Sequence, residues 1–198
     1  MKSIAKRLPL ALFLLTSCIT KTKSPAKELV NDEFKWSITI PEGFDSVSPE
    51  EWTKMQNKGA DAIEQTYDQE IINNAKTIFV FRSDPYNYFE SRYQPFDPAV
   101  DGDYMETFRT VNGMLYGTFE AQMPDATLDS VSSMETIDGK EFHLFKTTIT
   151  IPEKLSLELN MYSRLFGKKE FTVNIITADK NKQKELLEAW RHSKFGLN

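Results

Sequence analysis

Asp138-Gly139 and the two alternating runs that flank it constrain the fold of this chain more than any other feature. Asp-Gly tolerates the positive φ angles that a two-residue hairpin turn demands, so it joins strands of opposite direction. The runs it joins are Val131 to Ile137 and Glu141 to Ile151. A second pair, Leu155 to Leu165 and Glu170 to Thr177, flanks Gly167 and reads as a second hairpin. Tight turns give antiparallel neighbours, so the second half of the chain is committed to an antiparallel sheet.

The first half supplies helices and two further strands. Phe34, Trp36, Ile38 and Ile40 alternate with Lys35, Ser37 and Thr39, which predicts a half-buried strand closed by Pro41-Glu42-Gly43. Ser48-Pro49-Glu50-Glu51 combines a Ser cap, a Pro at the first helical position and a Glu at the third, the start of a helix running, with a break near Gly59, to about Ala75. Thr77 to Arg82 is apolar on both faces and predicts a central strand. Residues 84–102 are rich in Pro and aromatics and read as a long loop. Asp103 and Glu106 cap a second helix whose apolar period ends at Pro124. Gly113 and Gly117 within it predict close packing or a kink, since each costs roughly 1 kcal/mol against Ala. Asp179 caps a last helix with Leu186, Leu187 and Trp190 facing inward. The expected class is α+β, a largely antiparallel sheet of about six strands flanked by helices.

The amino end carries an address. Lys2, Lys6 and Arg7 precede the apolar run Leu8 to Leu15. As a helix that run reaches about 12 Å, against a bilayer core of about 30 Å, so it predicts a signal peptide and not a span. Leu15-Thr16-Ser17-Cys18 resembles the bacterial lipobox: small side chains at the scissile bond, then a thiol to carry a diacylglyceryl group. Cys18 is the only cysteine and has no intrachain disulfide partner. The expected organisation is a signal peptide over 1–17, a lipidated Cys18 with a tether over 18–33, and one globular domain over 34–198. The membrane is then a partner through the lipid on Cys18. Cleavage removes three basic residues and no acidic one, so attachment rests on acyl chains and not on charge. The expected location is the bacterial cell envelope, facing the periplasm.

The opening pattern Phe34, Ile40, Pro41, Gly43, Phe44 resembles the start of PsbP-like domains. The ending is similar too: the Leu155–Phe166 and Phe171–Thr177 hairpin, a helix, then Ser193-Lys194-Phe195. The resemblance is one of element pattern over most of the chain. It implies an α/β/α sandwich around an antiparallel sheet, a fold that bacterial envelope lipoproteins also use. No site residue of the plant members matches here, so their role at the photosystem does not transfer.

Chemistry is sparse. A formal charge of -5 and pI near 5.2 argue against nucleic acid as a partner. His143 falls in a strand and His192 at a helix end, and no G-x-S-x-G elbow or metal-ligand spacing accompanies them. Asp97, Asp101, Asp103 and Glu106 form a loose carboxylate group that departs from the calcium-loop spacing and suits a helix cap. No metal and no cofactor are expected. Lys180, Lys182 and Lys184 read as a solvated helix end.

Two groups of residues are candidate binding surfaces. Tyr86, Tyr88, Phe89 and Tyr93 crowd the 84–102 loop, where they could stack on a ligand, anchor a partner or pin the loop to the core. Glu158, Asn160, Tyr162 and Arg164 share one face of their strand. A three-residue turn at Phe166-Gly167-Lys168 would set Asn160 opposite Asn174 and add it to a contiguous polar face. The expected function is partner or ligand binding by a lipid-anchored envelope protein, without catalysis. The alternatives are a hydrolase using carboxylates, which needs a deep cleft, and a chaperone or assembly factor for envelope proteins, which needs an exposed apolar groove.

Overall fold

The computed structural model describes residues 27–68 and 74–196. In chain order the elements are β1 Lys27–Asn31, β2 Trp36–Ile40, β3 Asp45–Ser46, α1 Pro49–Tyr67, β4 Lys76–Asp84, β5 Asn87–Pro95, α2 Pro98–Asp101, α3 Tyr104–Gln122, β6 Thr127–Ile137, β7 Lys140–Ile151, β8 Leu155–Phe166, β9 Lys169–Thr177, α4 Lys180–Arg191 and β10 Lys194–Phe195. The strands form a seven-stranded sheet, β3-β4-β5-β9-β8-β7-β6, and a three-stranded sheet, β1-β2-β10. Every pairing is antiparallel. The fold is an α+β sandwich.

Local chemistry accounts for the helix starts. The Ser48 side chain accepts from the Glu51 amide, Asp103 accepts from Met105 and Glu106, and Asp179 accepts from Asn181 and Lys182. α1 runs unbroken through Gly59 and stops at Asp68, whose φ of 50° ends the helix earlier than the sequence predicts. Gly117 lies under α1: a Cβ there would meet the Tyr67 hydroxyl at 2.5 Å, while Gly113 faces open space.

The large sheet is covered on both faces, and this decides most of the packing. One face receives α4 and the small sheet. There Trp36, Phe89, Phe142, Tyr162, Phe171 and Trp190 form one buried aromatic core, with Trp36 against Phe171 at 5.1 Å and Phe81 stacked on Phe89 at 4.6 Å. The other face lies under α1 and α3, where Phe108, Phe145 and Met161 form a smaller cluster.

Four expectations need correction. The tether expected to reach Asn31, and in the domain organisation residue 33, gives way to β1 at Lys27, which hydrogen-bonds along β2. β2 is flanked on both sides, so Ser37 is buried along with its apolar neighbours. The 84–102 loop contains β5, which lies between β4 and β9 inside the sheet; the prolines that suggested a loop sit at its ends. Finally, Gly167-Lys168 is a two-residue turn closed by Phe166 and Lys169. Gly167 has φ 61° at the first turn position, the requirement of a II′ hairpin. The register therefore shifts by one, pairing Arg164 with Phe171, Tyr162 with Val173 and Asn160 with Ile175. The signal peptide, Cys18 and the first part of the tether lie outside the described residues.

Candidate functional site

The shifted register dissolves the expected polar surface. Glu158, Asn160, Tyr162 and Arg164 do share a face, but it is the face of the aromatic core. Glu158 forms an ion pair with Lys146 at 2.7 Å and accepts from the Asn160 side chain at 3.0 Å. The Arg164 guanidinium donates to the Glu141 carbonyl at 2.6 Å and lies over the Phe166 ring. Tyr162 is fully buried, packs on Trp190 and donates to Glu135 at 2.9 Å. Burial raises its hydroxyl pKa, and the Glu135 charge raises it further. Arg191 holds the other oxygen of Glu135 at 2.6 Å. These side chains join β8, β6, β7 and α4 to one another.

Asn174 sits on the opposite face, beneath α1. Its amide donates to Glu90 Oε2 at 2.8 Å. Glu90 Oε1 accepts from Trp52 Nε1 at 3.0 Å and from Gln56 at 3.2 Å. Glu90 is only 5% exposed, and its hydrogen bonds fasten α1 to the sheet. Sequence reasoning missed this carboxylate because its strand read as a loop.

The aromatic residues separate in the same way. Phe89 is buried in the core, Tyr88 packs on Trp52 under α1, and Tyr93 packs on Phe34 with the Lys76 and Lys169 ammonium groups over its ring. Lys169 pairs with Glu33, which holds that carboxyl below its ordinary pKa. Tyr86 stands exposed at the β4–β5 turn. Beside it, Lys182 donates to Asp84 at 2.9 Å and to Ser83 at 2.8 Å, while Asn87 Oδ1 accepts from the Ala178 and Asp179 amides. Lys182, read as a solvated end, is a clamp between α4 and this hairpin. Asp97 and Asp103 cap α2 and α3, and Asp101 accepts from the Asp97 amide. His143 packs against Tyr104 and Phe108, and burial lowers its pKa; the His192 ring lies 2.8 Å from the Glu188 carbonyl.

The part of the sheet still open is β6. It has eleven residues, forms one edge of the seven-stranded sheet, and pairs with β7 throughout its length. The opposite edge strand, β3, has only two residues. Asp138 and Gly139 both have positive φ, so they form a two-residue turn closed by the hydrogen-bonded pair Ile137–Lys140. Antiparallel alternation then turns the backbone groups of Ser130, Ser132 and Met134 away from β7, toward the open edge. The Leu128 carbonyl belongs to this outward set and is taken by the Tyr116 hydroxyl at 3.3 Å. β6 contains neither Pro nor Lys, the residues that commonly protect an edge. Val131 is 56% exposed on one face of the strand and Met134 is 49% exposed on the other. At the β6 start, a concavity of about 360 Å³ opens between Tyr116, Glu120, Met123 and Leu128.

No family model matches the sequence, and no curated protein matches it. Solved structures do match. Cyanobacterial PsbP (CyanoP) from Synechocystis aligns over 92% of this chain and 99% of its own, with a TM-score of 0.56 and 12% identity. The fold is PsbP-like. At that identity the likeness speaks to the fold alone. A protein from Bacteroides thetaiotaomicron aligns over 86% of this chain and 48% of its own, with a TM-score of 0.46 and 10% identity. The Ran-binding protein Mog1p of Saccharomyces cerevisiae aligns over 86% and 95%, with a TM-score of 0.43 and 10% identity. Among the described residues, no helix is long and apolar enough to cross a membrane.

Proposed function

We propose that this protein is a lipid-anchored component of the bacterial cell envelope that faces the periplasm and binds a protein partner without catalysis. The observation that carries the binding role is the β6 edge: a long, evenly paired strand with outward backbone groups and neither Pro nor Lys to protect it. Such an edge accepts another extended segment as an added strand. The interior polar residues, by contrast, are engaged in holding elements together. The leader and the Leu15-Thr16-Ser17-Cys18 sequence support the location. Residues between Cys18 and β1 reach at most about 30 Å, which would hold the body close to the bilayer.

The test uses detergent-solubilised envelopes on a native gel. Wild-type protein should migrate within a larger assembly, and Ser132→Pro should run as the free protein while remaining membrane-bound. Proline at an outward-facing position removes a partner-facing N–H and leaves the β7 ladder bonds in place. Cys18→Ala should leave the membrane fraction. Identical migration of wild type and Ser132→Pro would reject the binding role; retention of Cys18→Ala on the membrane would reject the anchor.

A further inference from the structure

The β6 edge and the concavity beside it are separate features that meet at one bond. The Tyr116 hydroxyl on the Leu128 carbonyl brings the wall of the concavity to the outer side of the strand. A segment added to β6 from Ser130 onward would therefore bring a side chain at its end nearest Leu128 to that concavity. Tyr116, Met123 and Leu128 line it, with Glu120 among them. Its open surface is more polar than apolar, and a carboxylate flanked by Tyr116, Met123 and Leu128 suits a cation on an aliphatic stem. On the other face of β6, Asp129 is exposed. Among the described residues neither Glu120 nor Asp129 has an ion-pair partner.

We infer that the β6 edge receives an extended segment of a partner protein that carries Lys or Arg, one of which enters the Tyr116–Leu128 concavity and pairs with Glu120. A second copy of this chain is the wrong occupant, because β6 itself carries no Lys or Arg to set against Glu120 or Asp129. A basic segment supplies the cation that these two carboxylates lack, while Glu135 is already held by Arg191. This inference rests on the partner-binding reading above, and the experiment separates the two.

The probes are blocked ten-residue peptides: a Thr-Lys repeat, a Thr-Glu repeat, and a Thr-Lys repeat N-methylated on alternate residues. Each is titrated by fluorescence anisotropy against the full chain in detergent micelles. The Thr-Lys peptide should bind at least tenfold more tightly than the other two. Ser132→Pro should weaken it at least tenfold, and Glu120→Gln, an exposed change, at least threefold. Equal binding of the N-methylated peptide would show attraction to surface charge without strand addition and would overturn the inference. Equal binding of the Thr-Glu and Thr-Lys peptides, both lost in Ser132→Pro, would overturn the cationic class and leave the edge reading standing. Failure of all three peptides to bind, or a concentration-dependent dimer abolished by Ser132→Pro, would overturn the basic partner segment.

Discussion

The Tyr162 hydroxyl donates to Glu135 at 2.9 Å and so ties the inner strand β8 to the edge strand β6. The same carboxylate holds Arg191 of α4, so one buried phenol and one guanidinium keep the outer strand in place. Tyr162→Phe removes the only polar atom of a fully buried side chain and leaves its packing on Trp190 intact. The expected loss is about 1–2 kcal/mol, measured as a lower urea midpoint with unchanged slope. A loss below a few tenths would mean that this bond does not secure β6.

Glu90 makes a sharper prediction. Glu90→Ala strands the Trp52, Gln56 and Asn174 donors beneath α1, at a cost of roughly 3 kcal/mol. Glu90→Gln retains an acceptor and should cost less. Trp52 fluorescence reports the event: its emission should shift red in Glu90→Ala as α1 loosens. An unshifted spectrum with full loss of stability would place the damage elsewhere.

The two glycines of α3 should respond in opposite directions. Gly113→Ala adds a methyl to open space and gains helix propensity, stabilising the protein by about 0.5–1 kcal/mol. At Gly117 the methyl meets the Tyr67 hydroxyl, which donates to the Met114 carbonyl at 3.0 Å. Displacing that hydroxyl breaks the bond, so Gly117→Ala should give no gain or a net loss. Thermal melts of the two variants decide it; equal gains would contradict the α1–α3 contact.

Asp84 sets an acid limit. Burial alone would raise its pKa, but bonds from Lys182, Asn87, the Tyr86 amide and Ser83 outweigh that and hold it well below the usual carboxylate range. A depressed folded pKa stabilises fully above the unfolded value of about 4 and is lost as pH falls through the folded one. Stability should therefore decline below about pH 4 more steeply in wild type than in Asp84→Asn. Parallel pH curves for the two proteins would remove the Lys182–Asp84 clamp from the account.

Local chemistry made much of this fold legible. Ser48, Asp103 and Asp179 cap helices because a side-chain oxygen beside free amides has one dominant use, and Asp138-Gly139 forms its turn because few pairs tolerate two positive φ angles. β5 was illegible because Glu90 and Arg92 alternate with Phe89 and Tyr93 in a strand covered on both faces; what buries the charge is α1, far away in sequence. The β8–β9 register failed for a related reason. Matching polar with polar across a hairpin assumes one wet face. Here both faces are covered, and Gly167 at the first turn position decides the pairing. The candidate surface moved with it: Tyr162 went into the core, Asn174 went to the other face, and the open edge fell on a strand whose Ser-rich sequence carries no chemical signature.

Cross-linking in intact cells tests the partner-binding claim most directly. A photoreactive side chain replaces Val131 on β6 or, as a control of nearly equal exposure, Val30 on β1 (56% and 54%). Position 131 should yield a discrete higher-mass adduct that disappears in the Ser132→Pro background, and position 30 should yield none of the same mass. Adducts of the same mass from both positions, or none from position 131, would contradict the assignment of β6 as the binding edge.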